Sequence, residues 1–183
     1  AKAWQNEGLP PMVMAINLSA SQFRRFDLLN TVIEALVLSE LDAHCLELEL
    51  TESILLQDTE SMLNIVQRLK ALGLKLSVDD FGTGYSSLAY LKRFAVDKLK
   101  IDQSFIRDLL TDPDDAAIVR AIIQMAHGLK LRTIAEGVES EELCKLLALF
   151  QCDEIQGYWL APPMPCTEIP TFIRTYAEAN WTS

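Results

Sequence analysis

Six short apolar runs rich in Val, Ile and Leu recur along the chain: MVMAINLS, CLELELTE, LKLSVDD, DKLKID, LRTIAEG and CDEIQGYWL. Their length and composition predict β-strands. Between them, apolar positions at helical spacing predict helices over Asp27–Leu41, Asp58–Leu72, Asp114–His127 and Glu141–Phe150. The third opens with good start signals: Asp112 can cap, Pro113 suits the first helical position, and Asp114 and Asp115 favour the positive end of the helix dipole. The opening AKAWQNEGLP reads as the tail of a helix ending at Gly8. Two helix-to-strand joints share wording, ALGLKL at 71–76 and AHGLKL at 126–131, each placing Gly where a residue just past a helix turns left-handed.

The repeated unit is therefore β then α, which implies a parallel sheet, either doubly wound or closed into a barrel. Polar residues decide between them. The runs end in Asn17, Glu49, the adjacent Asp79 and Asp80, Lys100 with Asp102, Glu136, and Gln156, at intervals of about 20 to 36 residues. Those are C-terminal strand ends, where (β/α)8 barrels build their sites. A doubly wound sheet would announce itself with a GxGxxG loop, and none occurs. The expected fold is an α/β (β/α)8 barrel with about six of its eight strands in this chain. Barrels typically need ~250 residues, and these 183 do not begin with Met. The expectation is one domain over residues 1–183, incomplete at its N-terminal end, inactive in isolation and prone to self-association through unpaired edges.

Composition narrows the partners. With 50% hydrophobic residues, 7 Gly and 7 Pro, the chain can bury a real core. A net charge of −10 argues against non-specific binding to polymeric nucleic acid or an anionic membrane, so a phosphate ligand needs local cations. Cys45, Cys144, Cys152 and Cys166 form no CxxC pair and sit in or beside apolar runs. They read as buried free thiols in a reducing cytoplasm. No run reaches the ~20 apolar residues of a membrane span, and no signal peptide opens the chain.

The stretch KLSVDDFGTG poses a geometric question, because neighbours on a strand point to opposite faces and Asp79 and Asp80 are adjacent. One answer is a turn using Asx hydrogen bonds and Gly82. The other is a metal site. Four carboxylates and an amide oxygen at strand ends make a hard oxygen set that suits Mg²⁺ or Mn²⁺, and two adjacent aspartates could hold two ions for phosphodiester hydrolysis. The same acids could instead form a salt-bridge network around Lys100. His44 and His127 read as surface or helix-terminus residues.

The series NLSASQF (17–23), ELTES (49–53), DDFGTGYSSL (79–88), KLKIDQSF (98–105), AEGVES (135–140) and QGYWLAPPMP (156–165) closely resembles the EAL-domain cyclic-di-GMP phosphodiesterases, in order from Trp4 to about Pro165. The resemblance implies a (β/α)8 barrel that hydrolyses cyclic di-GMP to linear pGpG with two Mg²⁺ or Mn²⁺ ions. It implies Asn17, Glu49, Asp79, Asp80 and Glu136 as ligands, with Asp79 bridging, and Glu136 among the catalytic groups. Lys100 would hold the attacking water or offset developing charge, Gln156 would orient water or ligand, and Glu52 would anchor the DDFGTG loop. It further implies a homodimer and upstream sensory or cyclase domains, which could anchor the parent protein in a membrane. Tyr85, Ser86 and Ser87 read equally well as ordinary loop residues.

Glu34-Ala35-Leu36 spells the family's name but lies in FDLLNTVIEALVLSEL, whose apolar spacing is helical. The family's naming motif stands on an earlier strand, with an arginine for substrate phosphate, and nothing ahead of Trp4 supplies either. A non-catalytic cyclic-di-GMP receptor is the alternative function. A Schiff-base enzyme on Lys100 is a third reading, opposed by acids that would keep the lysine protonated.

Overall fold

The computed structural model describes residues 1–23, 27–55, 60–84 and 88–180. Six strands, β1 (Met14–Leu18), β2 (Leu46–Thr51), β3 (Lys75–Phe81), β4 (Lys98–Ile101), β5 (Arg132–Ala135) and β6 (Glu154–Ile155), pair in parallel and in sequential order. The helices are α1 (Lys2–Asn6), α2 (Ala20–Phe23), α3 (Leu28–Ser39), α4 (Glu52–Leu55), α5 (Glu60–Ala71), α6 (Leu88–Phe94), α7 (Gln103–Arg107), α8 (Pro113–Gly128), α9 (Glu141–Leu149) and α10 (Ile169–Asn180). A doubly wound sheet reverses its order at a switch point. Sequential order with helical crossovers gives six staves of a (β/α)8 barrel.

Alternation along the strands sorts their two faces. Leu46, Leu48 and Leu50 of β2, Leu76 and Val78 of β3, and Leu99 and Ile101 of β4 join Val66 and Leu69 of α5, Phe94 of α6, Ile106 of α7 and Ile123 of α8 in one buried cluster. Each such side chain contributes ~1.5–3 kcal/mol when fully buried. The other face carries Glu47, Glu49, Ser77, Asp79, Lys98 and Lys100, with Glu49, Ser77 and Lys98 in direct register. Barrel interiors are usually filled by branched aliphatic residues. Here charge fills that space, and Glu47, Glu49 and Lys100 are each less than a tenth exposed. Glu47 and Glu49 share the inner face, while Glu52 leaves the strand as the first residue of α4.

The start signals of α8 work as read: Asp112 accepts from Asp114 N at 2.8 Å, and Pro113 takes the first position. Ser140 caps α9 in the same way, accepting from Leu143 N at 3.2 Å. The opening helix α1 ends before Gly8, which has φ 87°. Glu34, Ala35 and Leu36 lie inside α3, as their spacing predicts.

Three expectations need correction. Gly73 is left-handed at φ 95°, but Gly128 stays helical and Lys130, at φ 62°, takes the left-handed place. The hydrogen bonds agree, since Gly73 N donates to Lys70 O and Lys130 N to His127 O. The shared wording is thus two residues out of step with the shared structure. The CDEIQGYWL strand shrinks to Glu154–Ile155, because Gln156 O accepts from Val138 N of the loop after β5 and the chain then turns, with Leu160 N and Ala161 N donating to Gly157 O. Finally, the four thiols are free, but only Cys45 is buried; Cys144 and Cys152 are half-buried and Cys166 is exposed.

A repeated clamp fixes the N-terminal ends of the strands. Asp97 Oδ2 accepts from Leu76 N at 2.8 Å and pairs with Lys70 in the last turn of α5. Asp153 Oδ2 accepts from Thr133 N at 2.8 Å and Thr133 Oγ1 at 2.9 Å, and lies 3.0 Å from His127 Nε2 in the last turn of α8. No described helix is long and apolar enough to cross a membrane.

Candidate active site

Lys100 organises the C-terminal end of the barrel. Its ammonium lies 2.9 Å from Glu49 Oε2, 2.9 Å from Asp79 Oδ1 and 2.7 Å from Glu136 Oε1, so β2, β3, β4 and the exit of β5 converge on one cation. Burial alone would pull the lysine pKa down, but hydrogen bonds to Glu136, Asp79 and Glu49 outweigh it and hold the group well above the usual lysine range. Three carboxylates around the amine favour its protonated form, which weighs against the Schiff-base reading.

The adjacency of Asp79 and Asp80 is resolved by a bulge. The β3–β4 register shifts between Val78 and Phe81, and Asp80 adopts φ 54°. A left-handed residue reverses the normal alternation, so one oxygen each of Asp79, Asp80 and Glu136 comes within 4.8 Å of the others. Asp80 N donates to Asp79 Oδ1 at 3.1 Å, and Thr83 Oγ1 donates to Asp80 O at 2.9 Å, which fixes the turn. The stretch is a turn, and the turn assembles an acid cluster.

That cluster carries more negative charge than one ammonium offsets. Burial raises the Glu136 carboxyl above its ordinary value; Lys100 opposes the rise, while Asp79 and Glu49 add to it. Asp80 is raised as well, by burial, by Asp79 and by Asp102. Asp102 itself caps α7 through Ser104 N at 2.8 Å.

At the end of β1, one terminal amide atom of Asn17 lies 3.1 Å from Asp79 Oδ2 and 3.2 Å from Glu49 Oε2. With only these groups present, the amide nitrogen must face the acids. A shared hard cation would let the oxygen face inward instead. The donor set, all oxygen, fits Mg²⁺ or Mn²⁺.

Gln156 is exposed beyond β6 and makes no side-chain hydrogen bond among the described residues. Its backbone is stitched to the loop that carries Glu136: Gln156 N donates to Ala135 O (2.8 Å), Val138 N to Gln156 O (3.0 Å) and Trp159 N to Val138 O (3.0 Å). A Cβ on Gly157 would stand 2.1 Å from Val138 O, so only glycine permits this backbone-on-backbone contact.

Glu52 stands apart from the cluster. It is 5% exposed, and its Oε2 accepts from Gly82 N at 3.3 Å. A Cβ on Gly84 would come within 2.9 Å of its Oε1. The loop therefore lies directly on this carboxylate. Tyr85, Ser86 and Ser87 fall outside the described residues.

Sequence reasoning missed a second charged layer below the first. Lys98 Nζ lies 3.2 Å from Glu47 Oε2 and 2.7 Å from Glu154 Oε2, and Arg132 Nη1 lies 3.2 Å from Glu154 Oε1. The signal was the KLKI alternation, which puts Lys98 and Lys100 on one face.

Fold and site together define a (β/α)-barrel domain with an acidic, oxygen-lined rim built around a buried lysine. The EAL domain family matches residues 1–163, and the chain belongs to that family. It is 44% identical over 168 residues to the bifunctional diguanylate cyclase/cyclic di-GMP phosphodiesterase MucR of Pseudomonas aeruginosa, covering 92% of this chain and 24% of that protein. The solved PaMucR phosphodiesterase in complex with c-di-GMP aligns with TM-score 0.88 and 43% identity, over 92% of this chain and 68% of that one. The manganese/cy-diGMP complex of Klebsiella pneumoniae BlrP1 aligns with TM-score 0.76 and 29% identity, over 86% of this chain and 41% of that one. The chain spans about a quarter of the length of the curated relatives it matches.

Proposed function

We propose that this domain opens one phosphodiester bond of cyclic di-GMP, consuming one water and releasing linear pGpG. The observation that carries the proposal is the surplus of acids, Glu49, Asp79, Asp80 and Glu136 against the single ammonium of Lys100. Those four acids and Asn17 would hold two Mg²⁺ or Mn²⁺ ions, with Asp79 shared. When bound, the ions supply Lewis-acid charge that eases deprotonation of water and offsets charge developing on the phosphate. Lys100, fixed in its protonated state, orients water and adds positive charge. Glu136, 2.7 Å from Lys100, would serve both as a ligand and, with that lysine, in positioning water. Gln156, held by the Gly157 stitch, orients water or substrate. Glu52 holds the DDFGTG loop in place.

The proposal extends to action in the cytoplasm, as a homodimer, under upstream sensory or cyclase domains. The likeness to MucR, a bifunctional diguanylate cyclase/cyclic di-GMP phosphodiesterase, supports the cyclase domain. The test is pGpG release by the intact protein with Mg²⁺, Mn²⁺ and excess chelator. Turnover that survives chelation would sink the metal mechanism. Tight cyclic-di-GMP binding without hydrolysis in either metal would establish the receptor alternative instead.

A further inference from the structure

Ser77 of β3 is a short residue on the charged inner face, and it is fully buried. Its Cα is in register with Glu49 on one side and Lys98 on the other, so its hydroxyl shares their face, between the two charged layers. Both layers are closed on themselves. Lys98 bonds Glu47 and Glu154 below, and Lys100 bonds Glu49, Asp79 and Glu136 above. The Ser77 hydroxyl has no hydrogen-bond partner among the described residues.

A buried hydroxyl left unpaired is costly, and folded proteins meet that cost with ordered water where the surroundings are polar. Ser77 lies in register between Glu49 and Lys98, charged groups that could complete a water's bonds. An apolar residue there would bring the two charged layers against a surface that solvates neither.

We propose that Ser77 is a positioning residue that holds a buried water between the two layers, and that this water steadies Glu49 from beneath. The second clause rests on Glu49 being a cation ligand; the first does not. Partners that orient a metal ligand typically contribute 10–100-fold to metal affinity.

High-resolution crystal structures of the intact protein, of Ser77→Ala and of Ser77→Val, with Mn²⁺ titrations of each and of Ser77→Thr, test both clauses. The expected water lies within hydrogen-bonding distance of Ser77 Oγ and is absent from Ser77→Val. Mn²⁺ affinity falls about tenfold in Ser77→Ala and Ser77→Val. Ser77→Thr keeps the hydroxyl and stays close to wild type. A Ser77 hydroxyl bonded directly to a protein group, with no water, overturns the proposal. So do Ala and Val variants that titrate like wild type. A wild-type protein that binds no Mn²⁺ defeats the two-ion reading instead, and the crystallographic water still decides the first clause.

Discussion

Lys98 and Lys100 stand two residues apart on one strand, both facing the barrel interior, both ion-paired. The lower layer is balanced: Lys98 and Arg132 meet Glu47 and Glu154. The upper layer is not, since among the described residues Lys100 alone meets Glu49, Asp79 and Glu136, with Asp80 alongside. Burial tends to lower both lysines, and their carboxylates raise both on balance. Burial raises the Glu136 and Asp80 carboxyls of the upper layer, and the neighbouring acids add to the rise. A balanced buried layer is structure; an unbalanced one, at the rim where barrels do chemistry, is where the proposed cations would sit.

Breaking the upper layer has the largest expected effect. Asp79→Asn removes the carboxylate proposed to be shared by both ions and should lower pGpG release by more than about 100-fold, beyond the usual loss from a supporting residue. Mn²⁺ binding followed by titration should fall with it. The matching change below, Glu47→Gln, should leave Mn²⁺ affinity within about threefold, because its partner Lys98 keeps Glu154. Equal loss of metal in both variants would erase the distinction between the layers.

Gly157→Ala comes next. The new Cβ would meet Val138 O at 2.1 Å, forcing apart the loops that carry Glu136 and Gln156. A shift of about 1 Å in a positioned group can cost about 100-fold in turnover. Metal affinity should fall less than turnover, since Glu49, Asp79 and Asp80 stand on other strands. Glu52→Ala should cost about tenfold in turnover, in line with the loss of an orienting partner, because the carboxylate that receives Gly82 N is gone. Metal affinity and turnover should separate here too; if Glu52→Ala loses metal as completely as Asp79→Asn, Glu52 is a ligand and the loop account fails.

The contrast also explains what was legible in the sequence. The β-then-α rhythm and the polar strand ends were enough for the barrel and for the residues around Lys100. That Asp79 and Asp80 share one site was not legible from alternation, because it depends on a left-handed aspartate in a bulge, a conformation sequence patterns assign to glycine. The same blindness misplaced the second joint, where Lys130 turned left-handed and Gly128 did not. The lower layer escaped notice because its members, Glu47, Lys98, Arg132 and Glu154, sit at strand starts and middles, where attention to strand ends never falls.

Lys98→Met tests the lower layer as structure. Glu47, 3% exposed, would lose its ammonium, and removing one partner of a buried pair costs about 3–5 kcal/mol. Urea unfolding should show that loss while Mn²⁺ affinity changes little. A variant as stable as wild type would mean that Glu47 is solvated by other groups.

The smallest effect belongs to the clamp beneath both layers. Burial pushes the Asp153 carboxyl up, but hydrogen bonds from His127 and from Thr133 N and Oγ1 outweigh it and hold the group below its ordinary value. A depressed carboxyl stabilises the fold at pH values above its unfolded pKa of about 3.9, and the contribution disappears as pH falls through the lower folded value. Asp153→Asn should therefore lower stability by about 1 kcal/mol at pH 6–7, a modest figure because the group is partly exposed and solvent screens it. The gap between wild type and variant should close as urea titrations move below pH 4. Both chains remain competent at the upper layer, so Mn²⁺ affinity at pH 7 should match. A gap that widens on acidification would show that the carboxyl is raised in the fold, and that the clamp works against the barrel it was thought to hold.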